Sequence, residues 1–368
     1  MINELDVQII RPLTSLRFYA AFSVFLSHLS YFKNFSDTKD IYENIFFEGF
    51  IGVTFFFILS GFILTLNYSN KLRLLERGQV LNFFVARVAR IYPVHLLTFC
   101  VSIPLLWYEI PNHSTAYLYS GIANILLIQS FVPDVTIYFS YNMPSWSLSD
   151  EMFFYTLLPF SLYIMTKLKM RDNAIVLLGM GILLWLVMIG VAYNVSDQTF
   201  EFKRWLLYIF PLSRFMDFSI GVILGLLFCN TVHHIRGQCR GWFTLLEITS
   251  LFSFCGAVYF SSLVDLSYRG SVFYMPFFAF IIYVFALQGG VISKILSGKL
   301  SVLLGEISFS FYMIHQLILR SMEIFSWYKL YPVWAAVGCL FVTLGLSVLV
   351  YYYFELTMQR IIRRKWIF

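Results

Sequence analysis

The sequence predicts an all-α, polytopic membrane protein, and two observations support this fold class. Hydrophobic residues make up 59% of the 368 residues and charged residues only 12%, whereas soluble domains carry about 25% charged residues. Apolar stretches long enough for helices of about 20 residues also recur along the whole chain. We therefore expect about ten transmembrane helices in a single domain over residues 1–368, with no soluble appended domain.

The predicted spans follow one another at short intervals. They cover residues 12–32, 49–69, 91–109, 146–166, 174–194, 205–228, 242–262, 271–288, 300–320 and 331–354. A further apolar piece, residues 117–132, has only sixteen residues. Its length leaves open whether it is an eleventh span or a short re-entrant or interfacial segment.

The distribution of basic residues decides between these alternatives. With ten spans and a cytoplasmic N-terminus, 17 of the 26 Lys and Arg residues fall on the inner side, six in outer loops and three within spans. Cytoplasmic loops are enriched in Lys and Arg, and a crossing at 117–132 would move the basic C-terminal tail outside. We therefore expect both termini in the cytoplasm and residues 110–145 as an outer excursion.

The five cysteines predict neither a disulfide framework nor a metal centre. They form no CxxC pair and lie mostly in apolar runs, where cysteine acts as a small hydrophobic residue. Cys229, His233, His234 and Cys239 are close in sequence, but their spacing fits no common zinc pattern. We expect no bound metal.

Arg17 and His28 lie eleven residues apart within one apolar stretch, residues 13–32. Eleven residues of α-helix make about three turns, so both side chains point the same way, about 16 Å apart along the axis. Ionisable groups at membrane depth usually face a polar cavity. The pair indicates two points along one intramembrane path. In the alternative, Arg17 reaches a lipid headgroup and His28 is only a residue at the end of its helix.

The expected topology places His28, Glu151 and His315 in one outer layer. A carboxylate beside an imidazole can fix its tautomer and stabilise the imidazolium, which a general base needs. The alternative is structural, with Glu151 capping its helix and His315 bonding to a neighbouring helix. We predict a catalytic layer built from these three side chains.

Arg87 and Arg90 lie three residues apart on one helical face just before the third predicted span. Such a pair can bind phosphates through forked, charge-assisted hydrogen bonds, although ordinary positive-inside anchoring explains any inner arginine pair as well. The chain has no GxxxxGK[ST] phosphate loop, no HExxH and no GxSxG motif, which argues against nucleotide hydrolysis. An acyl donor with a phosphate head and a long thin arm would fit a path from these arginines past Arg17 to His28.

Six motifs follow one another in order along nearly the whole chain. They are RPLTSLRFYAAFSVFLSH (11–28), GVTFFFILSGFIL (52–64), FVARVARIYPVHLL (84–97), WSLSDEMFFYTLLP (146–159), SRFMDFSIG (213–221) and SFSFYMIHQ (308–316). Together they resemble the acyltransferase 3 family of bacterial membrane acyltransferases. The resemblance implies an enzyme of about ten helices in the bacterial inner membrane.

The resemblance also implies a reaction and roles for residues. The donor would be cytoplasmic acetyl-CoA, less often another acyl-CoA, and the acceptor a hydroxyl of an extracytoplasmic or lipid-linked glycan. By motif, His28 matches the essential histidine, Arg17 its partner, Arg87 and Arg90 the CoA-contacting pair, and Glu151 the acidic residue. Asp150 stands where the family commonly has an apolar residue, which leaves open which carboxylate acts.

The first hypothesis from the sequence is therefore a membrane O-acyltransferase. It would use acetyl-CoA as a co-substrate with no permanently bound cofactor, and its partners would be the glycan acceptor and the lipid bilayer, with no nucleic acid. A transporter or flippase for a glycan or lipid-linked precursor is the alternative, since buried polar residues also line transport paths. A scaffold subunit of a polysaccharide assembly complex is a weaker third hypothesis.

Overall fold

The computed structural model describes residues 10–109, 115–235 and 238–366, and within them the chain is helical with no strand. Ten main helices are α1 (Arg11–Ser27), α2 (Gly52–Tyr68), α3 (Arg77–Glu109), α4 (Trp146–Lys167), α5 (Ala174–Asn194), α6 (Pro211–Ile235), α7 (Arg240–Tyr259), α8 (Met275–Ala286), α9 (Lys299–Ile324) and α10 (Pro332–Leu349). A terminal helix, Leu356–Trp366, continues from α10 through a π-helical segment, Val350–Glu355.

A main helix forms at each of the ten predicted spans, and the all-α prediction is confirmed. Of the helices in the described residues, seven are long and apolar enough to cross a membrane: α2, α3, α5, α6, α7, α9 and α10, some with adjoining turns. The other three fall short for two reasons. The helices α1 and α8 have 17 and 12 residues, and α4 begins with serines and two adjacent carboxylates.

Two boundaries differ from the prediction. The third helix begins at Arg77 and not near residue 91, so Arg87 and Arg90 lie about three turns inside a continuous helix. The segment predicted at 117–132 forms a helix of 11 residues, Thr115–Ile125, followed by a turn at Leu127 with φ 55°. A helix of that length rises about 16 Å, roughly half of the hydrocarbon thickness.

Glycines set the closest helix pair, α2 against α6. A Cβ atom added to Gly61 would collide with the carbonyl of Phe218, and one added to Gly221 would collide with the carbonyl of Ile58. The two backbones therefore pack in direct contact, as small residues allow in membrane helices.

A second close pair, α1 against α9, positions the site. A Cβ on Gly305 would collide with the carbonyl of Thr14, and the Ser15 hydroxyl donates to the carbonyl of Leu296 just before α9 at 2.5 Å. Farther along the pair, the ring of Phe311 packs between the rings of Phe18 and Phe25. This packing brings the end of α1 beside the middle of α9.

The segment between α3 and α4 folds against the bundle through buried polar groups. The carbonyl of Asn124 accepts a hydrogen bond from His95 at 2.9 Å, and the Asn124 side chain bonds Ser140 and Ser145. Gln129 donates to the carbonyl of Ser145 at 3.0 Å. These bonds fix the residue that precedes α4 and hence the direction of its first side chains.

Candidate active site

His28 and His315 face each other where α1 and α9 meet. Nε2 of His315 lies 3.2 Å from Nδ1 of His28, and the ring centroids are 5.1 Å apart. His315 is fully buried, whereas His28 follows the last turn of α1 and is half-buried. The prediction that these two residues share one layer agrees with the geometry.

The backbone assigns the tautomer of His28. Its Nδ1 lies 2.9 Å from the carbonyl oxygen of Val24, and a carbonyl can only accept, so Nδ1 carries the proton. In the neutral ring Nε2 then bears the free lone pair. Because Nδ1 donates to the carbonyl of Val24, Nε2 is the nitrogen of His28 that can accept a proton from a substrate.

The His28 ring lines a cavity of about 380 Å³, which we call the histidine chamber. Aromatic rings form much of its wall: Tyr42, Phe47, Phe50, Phe139, Trp146 and Tyr208. Lys203, Arg204 and Asp265 also line it. Arg204 donates to Glu201 at 2.6 Å and to the hydroxyl of Tyr138 at 3.2 Å, so its position is fixed.

Arg17 lines a second cavity, of about 160 Å³, which we call the arginine chamber. Arg87, Arg90, Glu151 and Tyr155 line it as well. Four of the six site residues predicted from the sequence therefore meet here. The guanidinium of Arg87 lies 5.6 Å from the centroid of the Tyr68 ring, and its Nε is buried with no hydrogen-bond partner among the described residues.

Glu151 occupies a different place from the one expected. It lines the arginine chamber and is absent from the lining of the histidine chamber, so the expected outer layer of His28, Glu151 and His315 is wrong for Glu151. Asp150 is fully buried and lines neither chamber. Adjacent helix positions differ by about 100°, which turns Asp150 toward Arg214 and Asp217 and Glu151 toward Arg17.

Arg90 has a partner that the sequence motifs did not indicate. Its guanidinium forms an ion pair with Glu355, whose side chain is 1% exposed, and the other carboxylate oxygen accepts from Ser310 at 2.7 Å. The signal in the sequence was an acidic residue at the end of the last apolar run. Arg90 is therefore both a wall of the arginine chamber and an anchor for the chain after α10.

A buried ion pair on α6 was also missed. Arg214 is fully buried, pairs with Asp217 at 2.8 Å, and donates to Thr54 at 2.8 Å and to the carbonyl of Gly270 at 3.2 Å. Gly270 belongs to the wall of the histidine chamber. Arg and Asp three residues apart inside an apolar span were the available signal, and Arg214 acts by holding that wall.

The two chambers meet at shared residues. Val53 of α2 and Tyr312 of α9 line both cavities. The Tyr312 hydroxyl lies 3.0 Å from the Ser147 hydroxyl and 3.3 Å from the carbonyl of Pro144. One face of α9 carries Ser308, Tyr312 and His315, so a single helix reaches from the arginine chamber to the base.

The part of the chain that the structure describes contains no group of three or more His, Cys, Asp or Glu that could hold a metal ion. The free cysteines there are mostly exposed, and Cys239 is one of them. The polar side chains that line the two chambers carry imidazole, guanidinium, ammonium, carboxylate and hydroxyl groups.

Comparison with known proteins decides the class. The acyltransferase 3 family, described as an acyltransferase domain, matches residues 12–352. The chain belongs to this family. The resemblance to this family that the six motifs indicated is confirmed.

Two relatives extend the comparison for this acyltransferase. Acyltransferase MdmB of Streptomyces mycarofaciens is 27% identical over 341 residues, covering 84% of this chain and 78% of its own length. A putative acetyltransferase, ORF330 of Acidianus two-tailed virus, is 26% identical over 281 residues, covering 75% of this chain and 74% of its own. No solved structure matches the chain.

Proposed function

We propose that this acyltransferase transfers acetyl from cytoplasmic acetyl-CoA to a hydroxyl of an extracytoplasmic or lipid-linked glycan. It would act in the bacterial inner membrane as a multi-pass protein with both termini in the cytoplasm. One observation carries the proposal: a chamber with three arginines and a chamber with an oriented histidine share Val53 and Tyr312. An acyl-CoA bound at its phosphate end and reacting at its thioester end would need two such adjoining chambers.

The donor side rests on charge and size. Arg87 and Arg90 would bind CoA phosphates, since guanidinium groups bind phosphate through paired hydrogen bonds. The chamber of about 160 Å³ is smaller than pockets of about 300–1,000 Å³ for whole ligands, so only the thin arm would enter it. Arg17 would lie beside this arm, with Glu151 as its counter-charge.

The acid–base step uses His28. Nε2 would take the proton of the acceptor hydroxyl while its oxygen attacks the thioester carbonyl carbon. The intermediate would then break its carbon–sulfur bond, and the imidazolium would return the proton to the leaving thiolate. An acyl-histidine route would use the same Nε2 as nucleophile, and His315 would position the ring in either case.

The acceptor side rests on the wall of the histidine chamber. Aromatic rings with an apolar face and hydroxyls at their rim suit a sugar, whose rings present both C–H faces and hydroxyl groups. Asp265 and Lys203 at the same wall offer an acceptor and a donor of hydrogen bonds. The relative of the virus carries an acetyltransferase name, which favours acetyl as the group transferred.

The deciding experiment measures thioester consumption and ester formation together. Purified protein in detergent would receive acetyl-CoA and glycan from the host, and free CoA thiol and acetylated sugar would be followed by absorbance and mass spectrometry. We expect both products from wild type and neither from His28→Ala. In cells, loss of an ester-linked acetyl mass supports the enzyme, whereas loss of the whole polymer would support export and overturn the proposal.

A further inference from the structure

The helix that follows α10 carries a row of side chains that starts at the arginine chamber. Gln359 donates to Glu355 at 3.2 Å, and Glu355 pairs with Arg90 of that chamber. Arg363 is the next residue at the same helical spacing, so Glu355, Gln359 and Arg363 follow one side of the helix at steps of four. The row therefore leads from the chamber to Arg363.

Arg363 also approaches the chamber through space. The terminal helix packs against α3, and Arg363 lies within electrostatic range of Arg87, Arg90 and Tyr68. The ring of Tyr68 is already in contact with Arg87. Arg363 further lines an open surface groove together with Arg360 and Arg364. Arg363 and the chamber arginines therefore add positive charge to the same side of the protein.

Charge counting points the same way. Three cations, Arg17, Arg87 and Arg90, and one carboxylate, Glu151, line the chamber. With Glu355 paired to Arg90, these groups leave one net positive charge. A phosphate monoester alone carries about −1.5 to −2 at neutral pH, and the diphosphate of CoA adds to this. The chamber is also too small for the nucleotide. The nucleotide end of the donor needs more positive charge outside the chamber.

We propose that Arg363, flanked by Arg360, forms an outer phosphate site that binds the nucleotide phosphates of the acyl-CoA donor. This inference rests on the proposed use of acyl-CoA and extends it to an element with no assigned role. The chamber arginines then serve the part of the donor near the thin arm. The terminal helix serves the nucleotide at the open groove.

Binding of three probes to purified protein in a neutral detergent tests this site. The probes are CoA, dephospho-CoA and pantetheine. Because a charge-assisted hydrogen bond is worth about tenfold in affinity, Arg363→Gln should weaken CoA about tenfold. If Arg363 binds the 3′-phosphate, Arg363→Gln should reduce the affinity for dephospho-CoA less than the affinity for CoA. The affinity for pantetheine, which has no nucleotide phosphates, should not change.

The chain offers a matched control. Lys365 lies two residues on, about 200° around the helix, and contacts Trp366. Lys365→Gln removes the same charge from the same turn and should leave CoA affinity unchanged. Arg363→Lys should recover part of the loss, which separates lost charge from lost folding. Thermal unfolding without ligand should be the same for all three variants.

The outcomes separate this inference from the proposed function. If wild type binds no CoA, the proposed function fails. If wild type binds CoA and Arg363→Gln binds it equally well at low salt, the outer site alone is wrong. Arg363 would then be an anchor for lipid headgroups if Arg363→Gln lost only retention on phosphatidylglycerol vesicles, and this result would also overturn the site.

Discussion

The two chambers differ in how they handle charge. In the arginine chamber, Arg90 is paired with Glu355, and Glu151 lies among the cations. In the histidine chamber the wall is mainly aromatic, and one imidazole is oriented by Val24 and His315. The arginines of the first chamber therefore suit an anionic group, and the aromatic wall of the second chamber suits a neutral one. Transfer between the two chambers requires a junction, and Val53 and Tyr312 line it.

Loss of His28 should have the largest effect on the transfer rate, and it should affect the histidine chamber alone. His28→Ala should lower transfer by about 10²–10⁴, the range for loss of a general base, with CoA affinity within about twofold of wild type. Transfer rates and CoA binding at equal protein amounts check this. His234→Ala, at an exposed position near the end of α6, is the control. Near wild-type transfer by His28→Ala would remove His28 from the mechanism.

The second largest effect is a loss of folding stability at the arginine chamber. Glu355→Gln leaves Arg90 without its ion partner, and breaking a buried pair costs about 3–5 kcal/mol. We expect the low end, about 3 kcal/mol, because the Arg90 side chain is 22% exposed. Unfolding in mixed micelles measures it, with the exposed Glu43→Gln as control.

A double variant sharpens this prediction. Arg90→Met with Glu355→Gln removes both charges and should restore much of the stability. CoA binding should still be weaker than in wild type, because the Arg90 guanidinium is gone. Stability as low in the double variant as in Glu355→Gln would show that the ion pair is not the cause.

The neighbouring carboxylates test which chamber Glu151 serves. Glu151→Gln should lower transfer about tenfold, as for one charge-assisted contact, because Arg17 loses its nearby counter-charge. The pH dependence of transfer should not change, since Glu151 does not contact His28. Asp150→Asn should be milder. Rates across pH at saturating acetyl-CoA measure both, and the reverse ranking would move the role to Asp150.

The smallest effect concerns the junction. Tyr312→Phe removes a hydroxyl that bonds at Ser147 and Pro144, at a cost of about 0.5–1.5 kcal/mol. We expect transfer to fall only a few-fold, with both chambers still formed. The ratio of CoA released to acetylated product checks whether transfer stays coupled. A loss as large as that of His28→Ala would make Tyr312 a catalytic residue.

The sequence predicted the features that depend on local periodicity. Apolar length located ten helices, and the eleven-residue spacing predicted one path for Arg17 and His28, which line neighbouring chambers. Features that depend on tertiary packing were missed or misplaced. Glu355 is 265 residues from Arg90, and no local pattern joins them. Glu151 was assigned by depth along its helix, but rotation at the start of α4, set by Ser145 and its partners, decides where it points.

The pairing of Arg90 with Glu355 also bears on how the protein is made. A ribosome adds about 5–20 residues per second, so the 265 residues between them take roughly 13–53 s. During that time Arg90 has been synthesised and the carboxylate that pairs with it has not. The third helix therefore cannot complete this ion pair until the end of the last helix has been synthesised.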